Sequence, residues 1–228
     1  MSAALAATLQ NGVHALALAL SGTQITQLLD FMALLQKWNK VYNLTAVRDP
    51  AEMITHHLLD SLAAVGPLRR HLAQAQTSIN NIAPMLRLLD VGSGGGLPGV
   101  VFAICCPQLK VSCVDTVAKK AAFIQQAAAM LKLPNLHGIH ARVESLAGPF
   151  DVVSCRAFAS LPDFTAWSRP ALAAGAVWLA MKGKHPTDEI AALPANVQVF
   201  HIEPLVVPEL EAERCIVWLR PFLDQNSL

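Results

Sequence analysis

The chain has 228 residues, of which 54% are apolar and 14% are charged. Average soluble domains are ~45–50% apolar and ~25% charged, and disordered chains contain far fewer apolar residues, so this composition excludes disorder. Seventeen basic and sixteen acidic side chains leave a formal net charge of +1. Bulk charge therefore gives no support for non-specific nucleic-acid binding, which is typical of strongly basic domains. At ~150 residues per domain, the length predicts one domain with an appendage, or two small ones.

The first 20 residues are rich in alanine and leucine, and we predict that they form a helix. No Lys or Arg lies before the apolar run, and Asn11 and His14 interrupt it. Both features argue against a secretory signal. No apolar run reaches the ~18–20 residues that span a bilayer. The five cysteines lie in apolar runs and form no C-x-x-C motif, which indicates buried free thiols. These features predict a cytoplasmic protein that binds neither a membrane nor a metal.

Two amphipathic helices are predicted before residue 80. Apolar side chains recur at helical spacing over 25–42, and Thr23 is the predicted N-cap. A second helix opens at about Ala51 and is closed by Gly66-Pro67. Within it, His56 and His57 point about 100° apart, so we predict polar residues on the helix surface and no metal ligands.

A stretch rich in Gln, Asn, Thr and Ser at 74–84 predicts a linker. We therefore divide the chain into an N-terminal helical region, residues 1–80, and a second domain, residues 85–228.

Beyond residue 85, apolar strand-like runs alternate with helical stretches. This alternation of near-continuous apolar runs with helices predicts an α/β domain with a mostly parallel sheet that is covered on both faces. No long helix separates the last two strands, so we expect them to form an antiparallel pair at the end of the sheet. The predicted strands are 86–91, 111–115, 135–141, 151–155, 176–181, 197–202 and 215–219, and the predicted helices are 98–106, 118–132 and 162–174.

A glycine-rich segment, LLDVGSGGGLPG at 88–99, follows the first of these strands. It has five glycines within eight residues, which is more than a turn needs. Glycines permit positive φ and bring backbone N–H groups close to a ligand, beside the positive end of a helix that would begin at Pro98. Asp90 lies at the carboxyl end of the strand, where open α/β sheets bind ligands. We therefore predict a ligand site at this loop.

Two ligand classes fit the glycine pattern. Gly94, Gly96 and Gly99 match the dinucleotide fingerprint, which is a weak signal by itself. Counted from Gly92, the pattern is D-x-G-x-G-x-G, which suits a ligand with an amino-acid portion and no pyrophosphate. Asp115 ends the second strand about 20 residues after the loop, at the position of a carboxylate that binds ribose hydroxyls or merely caps the strand.

Several motifs together resemble the ribosomal RNA small-subunit methyltransferase G family, also called glucose-inhibited division protein B. The resemblance covers nearly the whole chain from about residue 27. It depends on the segments WNKVYNLT at 38–45, HLLDSL at 57–62, LDVGSGGGLPG at 89–99, SCRAFA at 154–159 and MKG at 181–183.

The resemblance implies a Rossmann-like class I methyltransferase that uses S-adenosylmethionine. Its sheet would have seven mostly parallel strands with a terminal antiparallel strand, and residues 1–80 would form a helical extension that faces the RNA. The implied acceptor is N7 of one guanine in a decoding-region loop of 16S rRNA. With the glycine pattern and Asp115, the predicted cofactor contacts are Gly92, Gly94, Gly96, Leu97, Asp115, Val143, Glu144 and Arg156.

Methylation of guanine N7 by in-line displacement needs no general base, because N7 carries a lone pair and no proton. The sequence offers no convincing acid–base pair, which agrees with that chemistry. Arg156 and Lys182 end apolar strands, where a charge has no evident structural purpose, so we assign them positioning roles in catalysis. Arg156→Ala is accordingly expected to reduce cofactor affinity or turnover and to leave the melting temperature nearly unchanged.

The predicted partner is 16S rRNA or the small ribosomal subunit, bound by a monomer. Candidate RNA-binding residues are Asn43, Arg142, Lys182 and Lys184, with Lys37, Lys40 and Arg48 as further cations in the helical region. Two alternatives remain open. One is an NAD(P)-dependent oxidoreductase that uses the same glycine loop. The other is a non-catalytic ribosome-associated binding protein, because a fold alone does not establish a function.

Overall fold

The computed structural model describes residues 3–77 and 85–222. A helical region comes first, and strands then alternate with helices. The helices are α1 (Ala3–Ala15), α2 (Gly22–Tyr42), α3 (Pro50–Met53), α4 (Asp60–Ala63), α5 (Val65–Thr77), α6 (Gly99–Cys105), α7 (Ala118–Met130), α8 (Leu161–Ser168) and α9 (Thr187–Ala191), with a π-helical segment at Ile54–Leu59 and 3₁₀ turns at Val143–Ser145 and Arg169–Ala171.

The described strands form one seven-stranded sheet in the order β3-β2-β1-β4-β5-β7-β6. The first five pair in parallel, whereas β7 runs antiparallel to both β5 and β6. The predicted parallel sheet with an antiparallel pair at its end is therefore confirmed. The strands are β1 (Arg87–Val91), β2 (Lys110–Asp115), β3 (Leu136–His140), β4 (Phe150–Arg156), β5 (Leu172–Lys182), β6 (Val197–Leu205) and β7 (Arg214–Pro221).

Each face of the sheet contributes to its own buried cluster. Leu88 and Leu89 are neighbours in β1 and belong to different clusters, because successive strand residues point to opposite faces. The N-terminal helices pack on the Leu88 side, where Leu28 and Phe31 of α2 are fully buried. Burying each such side chain contributes about 1.5–3 kcal/mol. The helical region thus shares a core with the sheet, and its treatment as a separate unit stays a prediction.

Three local predictions in the helical region are wrong. The N-cap of α2 is Ser21, whose hydroxyl accepts from the Gln24 N–H while the Gln24 side chain accepts from the Ser21 N–H. Gly66-Pro67 does not close a helix but lies in the first turn of α5, where proline is tolerated. Residues 74–77 of the predicted linker belong to α5, and 78–84 lie outside the described residues.

Other local predictions have mixed outcomes. The helix predicted over 162–174 ends at Ser168, and β5 begins at Leu172 after a short 3₁₀ turn. All five cysteines are free and buried, as predicted. No helix of the described ranges has both the length and the hydropathy that crossing a bilayer requires.

Candidate functional site

The loop between β1 and α6 has the backbone conformation that its glycines predict. Gly92, Gly94 and Gly96 have φ values of +65°, +55° and +83°. A Cβ at Gly92 would lie 2.2 Å from Cδ2 of Phe158, and one at Gly96 would lie 2.5 Å from Cγ2 of Val100. Glycine is thus required at both positions for close approach as well as for φ.

Several N–H groups of the loop are bonded within the protein and are not free for a ligand, contrary to the prediction. The N–H groups of Gly92 and Ser93 donate to the carbonyl oxygen of Val114, and those of Gly96 and Leu97 donate to the carbonyl oxygen of Ser93. These donors are satisfied inside the protein. At Gly92, which lines the cavity described below, the loop offers a ligand backbone without a side chain.

Asp90 is fully buried beneath this loop and does not contact the cavity described below. Its Oδ2 accepts from the Gly99 N–H at 3.0 Å, and its Oδ1 accepts from the Ser154 hydroxyl at 2.9 Å. Gly99 begins α6, so this carboxylate occupies the positive end of the helix, where an external anion would otherwise bind. Asp90 holds the loop in place and does not line the cavity.

The burial of Asp90 has a consequence for the pH dependence of stability. Desolvation raises the pKa of its carboxyl from 3.8 to about 7, against the opposing effects of Ser154, the Gly99 N–H and the charge of Arg156. A raised folded-state pKa means that the folded protein holds this proton more tightly than the unfolded chain. The resulting stabilisation is complete below about pH 4 and is lost as the pH rises through about 7.

We expect Asp90→Asn to gain stability relative to the parent chain as the pH rises. The amide oxygen can accept from the Gly99 N–H, and the amide NH₂ can donate to Ser154, so both contacts have a replacement. In urea unfolding, the free-energy difference between variant and parent should move by about 1–3 kcal/mol in favour of the variant between pH 5 and pH 8. A difference that stays constant over this interval would show that the carboxyl does not titrate there.

A cavity of about 340 Å³ lies beyond the carboxyl ends of β1, β2 and β4. Such a volume is within the ~300–1,000 Å³ of small-molecule sites. Five predicted site residues line it together, whereas Gly94, Gly96, Leu97, Arg156 and Lys182 do not. The five are Gly92, Asp115, Arg142, Val143 and Glu144.

Asp115 lies at the end of β2 on the cavity wall. Its Oδ2 accepts from the Gly94 N–H at 3.0 Å, and its Oδ1 accepts from the Val117 N–H at 2.9 Å. The carboxylate therefore caps the strand end and ties it to the glycine loop. Each oxygen keeps a further lone pair that could accept from a ribose hydroxyl. Ribose binding by Asp115 stays a prediction.

The opposite wall is aromatic, and the sequence did not assign it. Phe158 and Trp167 line the cavity with their ring centroids 5.9 Å apart in an edge-to-face arrangement. Phe158 follows Ala157, a non-glycine residue with a φ of +50° that also lines the cavity. Phe158 belongs to the SCRAFA segment, which was a usable signal. Trp167 lies on α8, and no pattern in the sequence distinguishes it from a core residue.

Arg156 lies at the end of β4, next to this wall, and is ion-paired. Its Nη1 donates to Oδ2 of Asp60 at 2.7 Å and to the His56 carbonyl oxygen at 3.0 Å. Arg214 at the start of β7 donates from Nε to Oδ1 of the same carboxylate at 2.7 Å. The premise that a charge here has no structural partner is therefore wrong. Arg156→Ala is expected to lower the melting temperature, and its contact with the cofactor stays a prediction.

His57 was predicted on the helix surface and is instead buried. Its Nε2 lies 2.8 Å from the Thr45 hydroxyl. Burial, with a smaller effect of Arg156, lowers the pKa of His57 to about 4. The ring is therefore neutral above this pH. His56 is exposed, and no group of three or more His, Cys, Asp or Glu side chains in the described ranges could hold a metal ion.

The four predicted RNA-binding side chains lie on three segments, because Lys182 and Lys184 are two residues apart. Within the described residues they make no hydrogen bond or ion pair with one another. Asn43 is the left-handed C-cap of α2, and its Oδ1 accepts from Arg48. Arg142 pairs with Glu144 at the cavity rim. Lys182 is ion-paired with Glu189 at 2.7 Å and donates to the Ala159 carbonyl, so it holds the segment after β4. Lys184 is exposed beyond β5.

The cavity residues fit S-adenosylmethionine. The bare backbone at Gly92 allows close approach, and a Cβ there would meet Phe158. Asp115 and Glu144 offer carboxylates to hydroxyl and amine donors. The rings of Phe158 and Trp167 offer aromatic faces to a cationic sulfonium or to an adenine ring.

Comparison with known proteins identifies the family. The family model described as "rRNA small subunit methyltransferase G" matches residues 24–217. The chain belongs to this family. Ribosomal RNA small subunit methyltransferase G of Acidovorax sp. (strain JS42) is 78% identical over 213 residues, covering 93% of this chain and 94% of that protein. The relative of that name from Paracidovorax citrulli (strain AAC00-1) is 71% identical over 220 residues, covering 96% and 90%.

A solved structure supports the fold of this family member. Mitomycin 7-O-methyltransferase is 13% identical, with a TM-score of 0.53 over 84% of this chain and 60% of that one. At this identity the likeness concerns the fold alone. With the seven-stranded sheet described above, it confirms the Rossmann-like class I methyltransferase fold that the sequence predicted.

Proposed function

We propose that this chain transfers a methyl group from S-adenosylmethionine to N7 of one guanine in a decoding-region loop of 16S rRNA. Membership of a family of rRNA methyltransferases supports the reaction class. The cavity at the carboxyl edge of the sheet supports the donor, because the predicted cofactor residues Gly92, Asp115, Val143 and Glu144 line it together. That convergence is the observation that carries the proposal.

The glycine loop also argues against the oxidoreductase alternative. A dinucleotide site binds pyrophosphate with free N–H groups of the loop and of the helix N-terminus. Here the Gly96 and Leu97 N–H groups donate to Ser93, and the Gly99 N–H donates to the buried Asp90 carboxylate. The Asp90 carboxylate thus accepts from an N–H group at the helix N-terminus that a pyrophosphate would need as a donor. A ligand without pyrophosphate suits this loop better.

The chain's contribution to the proposed reaction is alignment. Bound S-adenosylmethionine supplies an activated methyl group, and guanine N7 supplies a lone pair without a proton to remove. Holding donor and acceptor in line and excluding water contributes up to about 7–11 kcal/mol. In an A-form helix, N7 faces a groove too narrow for side chains, so the guanine must be unpaired or extruded.

A reaction without a general base predicts a flat pH profile. We expect the single-turnover rate constant for methyl transfer to stay constant within about twofold between pH 7.5 and pH 9. This interval lies above the folded pKa of Asp90, about 7, and of His57, about 4. Single-turnover rates with saturating donor and RNA are the measurement. An inflection that disappears when one histidine is replaced, with RNA binding intact, would show that a base takes part.

The proposed acceptor is tested by mapping the methyl mark. Small ribosomal subunits and naked 16S rRNA from a strain without this activity are incubated with the chain and labelled S-adenosylmethionine. We expect label at N7 of a single guanine, detected by strand scission at 7-methylguanine. Label at another atom would contradict the acceptor assignment, and no label with bound donor would favour the non-catalytic alternative. The cytoplasmic location and the monomeric state stay predictions.

A further inference from the structure

A groove of about 460 Å³ lies at the C-terminal end of α2, and it is cationic. Lys37, Lys40 and Arg48 all line it, with no acidic residue among the lining side chains. Lys37 and Lys40 are three residues apart, so their Cβ atoms lie about 5–6 Å from each other on one helix face. None of the three cations takes part in an ion pair within 3–77 and 85–222.

The nearest acidic residues in the chain do not neutralise this groove. Asp49 caps α3 by accepting from the N–H groups of Ala51 and Glu52, and neither Asp49 nor Glu52 lines the groove. Arg48 is held toward Asn43, whose Oδ1 accepts from Nη2 at 3.3 Å. Asn39 is buried and fixes the intervening turn by accepting from the Thr45 N–H. Arg48 is therefore held in place, and no lining residue supplies a counter-charge to the three cations.

The groove lies at the same edge of the sheet as the glycine loop. Near the start of α2, Gln24 and Gln27 donate to the carbonyl oxygens of Ile104 and Leu131, at the ends of α6 and α7. Those ends belong to the amino-terminal edge of the sheet. Toward the other end, Leu35 lies 2.9 Å from the position that a Cβ of Gly95 would occupy. The helix thus runs along the sheet, and its C-terminal half, which carries Lys37 and Lys40 as exposed side chains, lies at the edge of the sheet that holds the loop.

We propose that this groove binds the sugar–phosphate backbone of the substrate RNA next to the guanine that is methylated. The inference rests on the proposed function and adds to it the protein surface that binds the RNA backbone. A chain with a net charge of +1 cannot rely on bulk attraction, so local unpaired cations must supply the phosphate contacts. Arg142 and Lys182, in contrast, are engaged with Glu144 and Glu189. The RNA strand therefore crosses the helical region before its guanine reaches the cavity.

The test compares two double variants that remove the same charge. Lys37→Ala with Lys40→Ala removes two groove cations. Lys110→Ala with Lys132→Ala removes two exposed cations, at the start of β2 and after α7, at the amino-terminal edge. Both are assayed for binding to naked 16S rRNA over 50–200 mM salt, for S-adenosylhomocysteine affinity and for melting temperature.

We expect the groove variant to bind the RNA about tenfold or more weakly at low salt. The magnitude of the negative slope of log K against log salt should decrease by about 1.4, because two phosphate contacts are lost and each single-strand contact contributes about 0.7. Its KM for RNA should rise while kcat at saturating RNA, S-adenosylhomocysteine affinity and melting temperature stay as in the parent. The control variant should match the parent in every measurement.

Equal losses in both variants, or an unchanged salt slope in the groove variant, would overturn the proposal. The two proposals fail in different ways. If the parent chain binds S-adenosylhomocysteine but methylates no RNA, the proposed function is wrong. If the parent methylates 16S rRNA and the groove variant binds it equally well, the function stands and the groove is not its RNA site.

Discussion

Asp60→Ala should destabilise the protein more than any surface ion-pair change. The Asp60 side chain is 4% exposed, and its carboxylate accepts from both Arg156 and Arg214. Removing one partner of a buried ion pair costs about 3–5 kcal/mol. The two guanidinium side chains keep 18% and 25% exposure, so we expect the lower end, about 3 kcal/mol. At about 2–4 °C per kcal/mol for this chain length, thermal melting should fall by about 6–12 °C.

Glu203→Ala is the matched control, because it removes one negative charge from a more exposed pair with Arg70. Exposed pairs contribute about 0–1 kcal/mol, so its melting temperature should change little. Equal effects of the two substitutions would contradict a structural role for the Asp60 network. The network joins the helical region to β4 and β7 beside the cavity, and we therefore expect Asp60→Ala to weaken S-adenosylhomocysteine binding as well.

Gly92→Ala should abolish most of the cofactor affinity. The new methyl would lie 2.2 Å from Cδ2 of Phe158, and the residue would keep a φ of +65°. Left-handed backbone costs a non-glycine residue about 1–2 kcal/mol, and overpacking costs about 1–3 kcal/mol more. The clash can be relieved only by a shift of Phe158 or of the loop, and both form walls of the cavity. We expect calorimetry to show S-adenosylhomocysteine binding at least about tenfold weaker than in the parent.

Gly175→Ala separates backbone strain from the loss of the cavity wall. Gly175 in β5 has a φ of +75°, and a Cβ there would have no atom within 4 Å. This variant should introduce a similar backbone strain, which lowers stability, without moving Phe158. We therefore expect a lower melting temperature and unchanged ligand affinity. Equal affinity losses in the two variants would show that the glycine effect is general and not specific to the cavity.

The sheet could be predicted because each strand carries its signal locally. Leu88–Val91 and Val111–Val114 are near-continuous apolar runs, which are typical of a sheet that is covered on both faces. Helix boundaries carry weaker signals. A Gly-Pro pair can follow the end of one helix or lie in the first turn of another. The structure places Gly66-Pro67 in the first turn of α5. Ser21 and Thr23 both have a capping hydroxyl, but only Ser21 has a Gln three residues later, which is the capping-box spacing that the prediction missed.

The site could be predicted only in part, because several of its contacts join distant segments. Arg156 and Arg214 reach Asp60 across 96 and 154 residues, and no local pattern records such a pairing. The motif correctly placed Asp90 at the end of β1. It could not show that the carboxylate turns inward to Gly99 and Ser154, because side-chain direction depends on tertiary packing.

Calorimetric titration with S-adenosylhomocysteine and, separately, with NAD tests most directly whether the cavity is the methyl-donor site. We predict saturable one-to-one heat with S-adenosylhomocysteine and none with NAD under the same conditions. At 100 times its dissociation constant, the bound ligand should also stabilise the fold by ~2.7 kcal/mol. Absence of heat with S-adenosylhomocysteine, or equally tight binding of NAD, would contradict the account.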